Sequence, residues 1–569
     1  MLPAALALLG YAGLTVWLTW PLPAYLTTQL PATQWAARMD PPYMAAILAH
    51  ETRALVSAPS RLPDAGFFHP EPRALFYGDT GFGALPYFLP IFYLTGNPTL
   101  ALNLLFLGCA TLSAWALHLV VLRWTGSQLG GLIAGSVFLT SPWIFPGFVS
   151  TAPSYAVLQY FPVIVLLAAN ETAGVAATVT LAVLVVLQSL TDVVYVAPAV
   201  LVPLGVLAVA RFVRKRARRS GLKLLVVLGL AIVALLPIYL GHLSVRARNP
   251  DLARQTFWPL VEGPPVLPWG PFETGAASLA GGSAFLIALG ATIALLRWRS
   301  IEPELGSAWK HAAFWALLGI VISLPPGTRW YRTRLSLPPF LFPLARAYQV
   351  LRVPSRLRVA ALIGLALLTG LALSELESLL HRRVRRRPIV VAACSLVVLL
   401  VAWNTYRDSF QRSPTRRQGD YPIAPVVSPD SRLIELLRQP GGPLLELPVG
   451  PDGESPVGLP VNHARAMYRA IYHGRPVLNG YSSYYPAAFP ARMELARRLP
   501  DPAALEELHR DTGLEMILVH ADQLSPGERL AWMTLAHPGG RVDLSLMGQE
   551  GDDLLFRVNL DPRAGQAPN

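Results

Sequence analysis

The chain has 569 residues, of which 53% are hydrophobic and 14% are charged, and its formal net charge is +13 at pH 7. Because soluble globular proteins carry about 25% charged residues, this composition excludes an ordinary soluble protein and indicates that most of the chain lies in lipid. The charge does not indicate a nucleic-acid partner, since residues 404–569 hold 17 basic and 20 acidic side chains. The basic excess lies instead in short loops between apolar runs, a pattern typical of membrane topology signals.

Eleven apolar runs are predicted to span the membrane, because a hydrocarbon core of about 30 Å requires about 20 residues. They are residues 2–20, 98–122, 128–146, 153–169, 173–190, 193–210, 222–242, 279–296, 309–325, 357–376 and 388–404. The first run lacks the charged flank and cleavage site of a signal peptide, so we predict a retained helix. The third and fourth runs are short and contain prolines, and they also fit broken or re-entrant helices. Cys109 and Cys394 lie inside apolar runs and offer no disulfide framework or zinc site.

Basic runs at residues 211–219, 297–299 and 382–387 predict the orientation of these spans. Cytoplasmic loops are enriched in Lys and Arg, and a cytoplasmic N-terminus places all three runs on the inner side. The same count places residues 21–97, 242–278 and 326–356 outside, together with all residues after 403. We therefore expect residues 1–403 to form a transmembrane domain and residues 404–569 to form an external domain.

The external domain is predicted to be a small α/β unit. Amphipathic runs at residues 431–437, 502–512 and 527–535 predict helices, and apolar runs at 443–447 and 515–520 predict strands. Two last runs, 541–547 and 553–559, flank a polar turn and predict a hairpin. Residues 563–569 are predicted to be a disordered tail.

The external loop at residues 21–97 concentrates acidic side chains. It contains Asp40, Glu51, Asp64, Glu71 and Asp79, together with His69. Asp40 begins a predicted short helix over residues 41–55, where an acid also serves as an N-cap. Acids held at the bilayer face beside an apolar wall are candidates for general-base chemistry. Glu51, Asp64 and Glu71 are predicted to be solvated.

Several short motifs follow one another along the chain. They are Thr19-Trp20-Pro21-Leu22, Met39-Asp40-Pro41-Pro42, Phe67-Phe68-His69-Pro70, Tyr77-Gly78-Asp79, Thr95-Gly96-Asn97-Pro98, Arg123-Trp124-Thr125-Gly126-Ser127, Leu351-Arg352-Val353-Pro354-Ser355-Arg356, Glu446-Leu447-Pro448 and Asn479-Gly480-Tyr481. Together they resemble bacterial multi-spanning proteins of the GT-C glycosyltransferase class, which use a polyprenyl-phosphate-linked sugar as donor. The chain departs from that pattern at Met39, where many relatives have Gly, and at Asp79, where they often have Glu.

This resemblance implies roles for individual residues. Asp40 would be the general base, and Asp79 a second carboxylate that binds the acceptor or a divalent metal such as Mg or Mn, with Asp40 as its partner ligand. Arg352 and Arg356 would bind the donor phosphate through charge-assisted contacts, although arginines beside a span also snorkel to lipid headgroups. The remaining candidates for donor or substrate binding are His69 and His242. Asp192, between two spans, is either a turn residue or a cavity-facing acid.

The expected protein is a multi-pass GT-C-like enzyme of the bacterial inner membrane with an external catalytic face. It would transfer a sugar, with inversion, from a polyprenyl-phosphate donor to a lipid, glycan or protein acceptor, among membrane lipids and without nucleic acid. The alternatives are a non-catalytic transporter or flippase for lipid-linked saccharides, and an envelope assembly protein. ATP-driven transport and serine hydrolysis have no motif support. Convergence of Asp40, Asp79 and Arg352 on one membrane-face cavity would favour the enzyme.

Overall fold

The computed structural model describes residues 2–33, 38–141, 143–145, 148–252, 255, 282–296, 303–323, 354–384, 386–411, 420–450, 455–537 and 541–560. Some predictions fall outside the described residues. These are the basic run at 297–299, most of the external loop at 242–278, nearly all of the external loop at 326–356, which includes Arg352, and the tail at 563–569.

The apolar part of the chain is helical. Its helices are α1 (Leu2–Leu18), α2 (Asp40–Ser57), α3 (Leu85–Thr95), α4 (Pro98–Thr125), α5 (Gln128–Thr140), α6 (Phe148–Thr151), α7 (Tyr160–Ala169), α8 (Val175–Ser189), α9 (Val196–Val213), α10 (Arg218–Arg248), α11 (Gly282–Leu296), α12 (Pro303–Ile322), α13 (Val359–Arg383) and α14 (Arg387–Gln411). Each of the eleven predicted spans overlaps one of these helices, but the helices in the first, third, fourth, fifth and eighth runs have only 10–17 residues. Within the described ranges, six helices (α4, α9, α10, α12, α13 and α14) are long and apolar enough to cross a membrane. The chain is therefore a multi-pass membrane protein, which confirms the predicted fold class.

Local sequence fixes where these helices begin and end. The Asn97 side chain caps α4 by accepting a hydrogen bond from the backbone N–H of Leu100 at 2.8 Å, and Gly126 ends the helix in the left-handed region with φ of 71°. Ser127 caps α5 through the N–H of Gly130 at 2.8 Å. The motifs around residues 95–98 and 123–127 are thus explained by helix capping.

The fourth predicted span is broken. Residues Pro153–Ala156 form a short 3-10 helix that is separate from α7. This break is one of the alternatives left open by the prolines of that run. Tyr155 belongs to the short 3-10 helix and is buried.

Close packing places α13 in the interior of the bundle. Its apolar window is 89% buried, whereas that of α14 is 22% buried. A Cβ on Gly319 of α12 would lie 2.2 Å from the backbone nitrogen of Ala361, and one on Gly364 of α13 would lie 2.3 Å from that of Ala316. The two glycines therefore allow the α12 and α13 backbones to touch, and α14 lies at the periphery.

The C-terminal part is an α/β unit, as predicted. It contains β2 (Ile423–Pro425), α15 (Arg432–Leu437), β3 (Leu444–Leu447), α16 (Pro460–His473), α17 (Phe489–Arg498), α18 (Pro502–Thr512), β4 (Met516–His520), α19 (Pro526–Leu535), β5 (Leu544–Glu550) and β6 (Asp553–Val558). The sheet order is β3-β4-β6-β5, with β3 and β4 parallel and the other pairs antiparallel. The predicted helices and strands, including the hairpin, are confirmed. Helices α16 and α17 were not predicted.

The external loop and the C-terminal unit share one hydrophobic core. Ile47 of α2 and Phe68 of the loop belong to the same buried cluster as Leu445 of β3 and Ile517 of β4. In addition, β1 (Gln29–Pro31) pairs antiparallel with β2. The two segments therefore lie on the same side of the helix bundle and hold each other in place.

Candidate active site

Asp40 lies where the external loop meets the C-terminal unit. It is the first residue of α2, and Met39 occupies the N-cap position, so the alternative that Asp40 is a helix cap is wrong. The hydroxyl of Tyr481 donates a hydrogen bond to Oδ1 of Asp40 at 2.7 Å. A half-buried carboxylate is thereby held in one orientation at the start of a helix, where the helix dipole favours negative charge.

The motif around Asn479 positions this tyrosine. The Asn479 side chain accepts from the backbone N–H of Glu446 at 2.8 Å and donates to its carbonyl at 3.0 Å, which fixes the loop to β3. Gly480 follows, and a Cβ there would lie 2.1 Å from the ring of Phe68. Only glycine allows the loop to pass this ring, and the next residue, Tyr481, then lies within hydrogen-bond distance of Asp40.

Asp79 follows Gly78, where the loop packs closely against the segment that contains Ser482. The hydroxyls of Tyr43 and Ser482 share a hydrogen bond of 3.0 Å beside Gly78, where a Cβ would lie 2.0 Å from the Ser482 oxygen. The following residue, Asp79, accepts a hydrogen bond from the hydroxyl of Tyr155 at 3.2 Å through Oδ2. Both carboxylates are thus oriented by a tyrosine hydroxyl.

Arg356 supplies the positive charge of the site. It belongs to the 3-10 helix Pro354–Arg358, and its guanidinium lies 4.2 Å from the ring centre of Phe148 and 5.1 Å from that of Tyr195. Its charge interacts with both Asp79 and Asp40. The structure therefore brings together three of the predicted site residues, which come from widely separated parts of the chain.

Two further predicted residues border this cluster. His242, near the end of α10, bonds through Nδ1 to the carbonyl of Phe76 at 3.0 Å, and its ring interacts electrostatically with Asp79. Asp192 is fully buried between α8 and α9, where it accepts from the backbone N–H groups of Tyr195 and Val196. Burial, and secondarily the charge of Asp79, raise the pKa of Asp192 to about 7. Asp192 is thus a third acid close to Asp79.

The other candidates lie elsewhere or outside the described residues. The backbone N–H of His69 donates to the carbonyl of Val477 at 3.0 Å, and its ring lies near Thr512 and Arg492 of the C-terminal unit. It is thus separate from the Arg356 cluster, and its role as a ligand stays a prediction. Arg352 falls outside the described residues.

The prediction that Glu51 is solvated is wrong. Its side chain is fully buried in α2, where Oε1 accepts from the N–H of Gly81 at 3.1 Å and burial raises its pKa to about 8. Asp64 is exposed, as predicted, and Glu71 is half-buried and accepts from the hydroxyl of Tyr77 at 2.7 Å. Glu51 is buried because α2 packs between the helix bundle and the C-terminal unit.

The aromatic frame of the site is what sequence reasoning missed. Phe148, Tyr155 and Tyr195 lie in or beside apolar runs, where aromatic residues are ordinary core or lipid-facing residues. Tyr481 stands in a motif that the sequence analysis quoted, but no chemistry distinguished it there from a structural tyrosine. Only the folded chain shows that these side chains surround Arg356 and the two carboxylates.

The binding of a divalent metal by Asp40 and Asp79 stays a prediction. Within the described part of the chain, no three His, Cys, Asp or Glu side chains are grouped so that they could hold a metal ion. Asp40 and Asp79 instead share the charge of Arg356. We therefore derive no step through a metal.

Comparisons with known proteins give one kind of match. No family model matches the sequence, and no curated protein sequence matches it. Among solved structures, the chain is similar to ArnT from Cupriavidus metallidurans in the apo state, with 15% sequence identity and a TM-score of 0.46. The alignment covers 98% of this chain and 97% of that chain.

Proposed function

We propose that the protein is an integral membrane glycosyltransferase that moves a sugar from a polyprenyl-phosphate donor to a hydroxyl of an envelope acceptor. The observation that carries this proposal is the convergence of Asp40, Asp79 and Arg356 at the end of the helix bundle. Glycosyl transfer from a lipid phosphate needs a base for the acceptor hydroxyl, a cation for the leaving phosphate, and a location that the lipid tail can reach. We assign the base to Asp40, the cation to Arg356, and the location to the position of the cluster near the ends of the membrane helices.

Asp40 is assigned as the general base. The acceptor oxygen attacks the anomeric carbon from the face opposite the phosphate, the carbon–oxygen bond to the phosphate breaks, and its electron pair stays on the leaving polyprenyl phosphate. The acceptor proton passes to Asp40, whose orientation is set by the hydroxyl of Tyr481. General-base catalysis of this kind contributes about 10²–10⁴-fold to a rate.

Arg356 is assigned to the donor phosphate. Its guanidinium is packed against Phe148 and Tyr195, so its planar set of N–H donors is already oriented before the donor binds. Charge that develops on the leaving phosphate is stabilised by this fixed cation. Asp79, oriented by Tyr155, is placed to accept a hydrogen bond from a sugar or acceptor hydroxyl.

The distribution of basic residues supports an external site. Helix α10 has 31 residues and therefore spans about 46 Å at 1.5 Å per residue. It begins at the basic run around Arg218 and approaches the site at His242. Helix α13 likewise begins next to Arg356 and ends at Arg382 and Arg383. Since basic runs favour the cytoplasmic side, we assign the site and the C-terminal unit to the external face of the inner membrane and the N-terminus to the cytoplasm.

The test is donor consumption by the purified protein. We would incubate it with a panel of radiolabelled undecaprenyl-phosphate sugars and an envelope lipid extract, and measure release of the label from the donor. Asp40→Asn is expected to lower the rate about 10²–10⁴-fold, while the thermal unfolding midpoint stays within the error of the wild type. Asp64→Asn is the matched control, because Asp64 is an exposed acid of the same loop.

Two outcomes would contradict the proposal. Wild-type turnover in Asp40→Asn would remove the base assignment. If no donor of the panel is consumed, and reconstituted protein moves a lipid-linked saccharide between the leaflets of a vesicle, the protein is a transporter instead.

A further inference from the structure

A polar cavity lies in the C-terminal unit. Its volume is about 230 Å³, compared with the roughly 10–15 Å³ that a single water molecule requires. The polar residues that line it are Glu446, Asn462, Arg465, Arg469, His520 and Gln523. Apolar residues of the segment 425–427 beside the β1–β2 pair close one side. None of the residues assigned to glycosyl transfer lines this cavity, and nothing in the proposed reaction uses it.

Glu446 provides a buried acceptor in the cavity wall. Its side chain lies in β3 and is 4% exposed. Oε2 forms an ion pair with Arg469 and lies 3.5 Å from Nε2 of His520. Oε1 is buried and has no hydrogen-bond partner within the described residues. A buried acceptor without a partner is costly, so a ligand hydroxyl that donates to Oε1 would be bound favourably.

The charge state of this wall is fixed by its neighbours. Burial raises the pKa of Glu446, but the charges of Arg469 and His520 outweigh burial and lower the pKa below its usual value. Burial lowers the pKa of His520, but its hydrogen bonds to Asp553, at 2.7 Å, and to Glu446 outweigh burial and raise it. Glu446 is therefore an ionised acceptor among cations.

Arg465 adds positive charge at the mouth of the cavity. It lies one helical turn before Arg469 on α16, so both guanidinium groups lie on the same helix face. Arg465 is exposed and forms no hydrogen bond or ion pair with the described residues, and it is repelled by Arg469 and Arg38 and attracted by Asp522. Glu446 is the one acid in the lining, Asp553 pairs with His520, and Arg465 has only the attraction of Asp522 against the repulsion of two arginines. An anionic ligand group would relieve this repulsion and form charge-assisted hydrogen bonds.

We propose that this cavity binds a saccharide that carries a carboxylate or phosphate group, with a sugar hydroxyl donating to Oε1 of Glu446 and Arg465 holding the anionic group. The site does not depend on the glycosyl-transfer reaction, since it would bind a free sugar acid or sugar phosphate. It lies on the same side of the helix bundle as the Asp40 cluster, because β1 and β2 join the two regions.

Isothermal titration calorimetry on the full-length protein in detergent tests this site. The probes are glucuronate, glucose 1-phosphate, glucose and inorganic phosphate. Glucuronate or glucose 1-phosphate, or both, should bind, glucose should bind at least tenfold more weakly, and the sugar that binds identifies the anionic group. Arg465→Ala should weaken this binding about 10- to 100-fold, as expected for loss of a hydrogen bond to a charged group. Arg432→Ala, at an exposed arginine of α15 in the same unit, should leave it unchanged.

The remaining variants separate this cavity from the proposed active site. Arg356→Gln should retain binding of the anionic sugar. Glu446→Gln should lower the affinity for the anionic sugar more than the affinity for inorganic phosphate. If Glu446→Gln does not fold, the Arg465→Ala and Arg432→Ala comparison still decides.

Each of three results overturns the proposal. The first is that neither anionic sugar binds to the wild type. The second is that Arg465→Ala binds as the wild type does. The third is that glucose or inorganic phosphate binds as tightly as the anionic sugar, because the cavity would then not recognise both the sugar and the anionic group.

Discussion

Substitution of Arg356 tests the electrostatic core of the proposed active site. Arg356→Gln removes the cation that interacts with both Asp40 and Asp79 and that would contact the donor phosphate. A hydrogen bond to a charged group contributes about 1.5–3 kcal/mol. Loss of that contribution corresponds to a decrease in kcat/KM of roughly 10- to 150-fold, since about 1.4 kcal/mol is a factor of ten.

Arg356→Lys separates charge from geometry. Lysine keeps the positive charge and can still lie over an aromatic ring, but it loses the planar fork and the flat stacking on Phe148 and Tyr195. We expect Arg356→Lys to recover part of the activity lost in Arg356→Gln and to show a higher KM for the donor than the wild type. Full recovery by lysine would mean that the aromatic frame does not orient the cation.

The assay is a titration of the polyprenyl-phosphate sugar at saturating acceptor, with initial rates of label release. Arg248→Gln is the matched control, because Arg248 is an exposed arginine near the same end of the bundle that bonds to the carbonyl of Pro72 at 3.2 Å. If Arg356→Gln and Arg248→Gln have the same kcat/KM, the assignment of Arg356 to the donor phosphate is refuted.

Three further predictions concern stability, and thermal unfolding of the full-length protein measures each of them. The folded state holds the proton of Asp192 up to about pH 7, whereas an unperturbed carboxyl releases it near 3.8, so wild-type stability falls between these values. The melting temperature of Asp192→Asn relative to that of the wild type should therefore increase from pH 5 to pH 7. A difference that stays constant over this range would contradict the raised pKa of Asp192. His520 has a raised pKa, so its contribution to stability is complete below the ordinary histidine pKa of 6.5 and is lost at higher pH. The melting temperature of His520→Asn should therefore lie below that of the wild type by an amount that decreases from pH 6 to pH 9. A difference in melting temperature that does not depend on pH would refute this. Gly78→Ala should lower the free energy of unfolding by about 1–3 kcal/mol through the clash with Ser482. Gly527→Ala should not destabilise the protein, because Gly527 has open space and lies in a helix, where alanine is favoured. Equal melting temperatures of the two variants would contradict the clash.

The membrane helices could be predicted from the sequence because bilayer thickness imposes the length of an apolar run. Each of the eleven predicted runs overlaps a helix, although the fourth run is broken, and residues such as Asn97 and Gly126 set the helix boundaries. The C-terminal helices and strands were also largely predicted. Helix α16 was missed, although its arginines and tyrosines repeat at helical spacing.

Glu51 shows where composition misled the prediction. Its acidic side chain and external loop indicated solvation, yet Tyr43, Ile47 and Glu51 are spaced by four residues and therefore lie on one face of α2. All three are buried. The helical spacing was visible in the sequence. The surface that covers this face of α2 comes from the C-terminal unit, however, and no local sequence pattern predicts that contact.

The site itself could be predicted only as separate residues. Asp40, Asp79 and Arg356 each stand in a motif, but their proximity depends on contacts among the loop, the bundle and the C-terminal unit. Because Tyr481 belongs to the C-terminal unit and bonds to Asp40, that unit contributes directly to the proposed active site and is not an appended module. The close passages at Gly78 and Gly480 are the points where this assembly is tightest, so we expect substitutions there to reduce activity and stability together, although neither glycine has a reactive group.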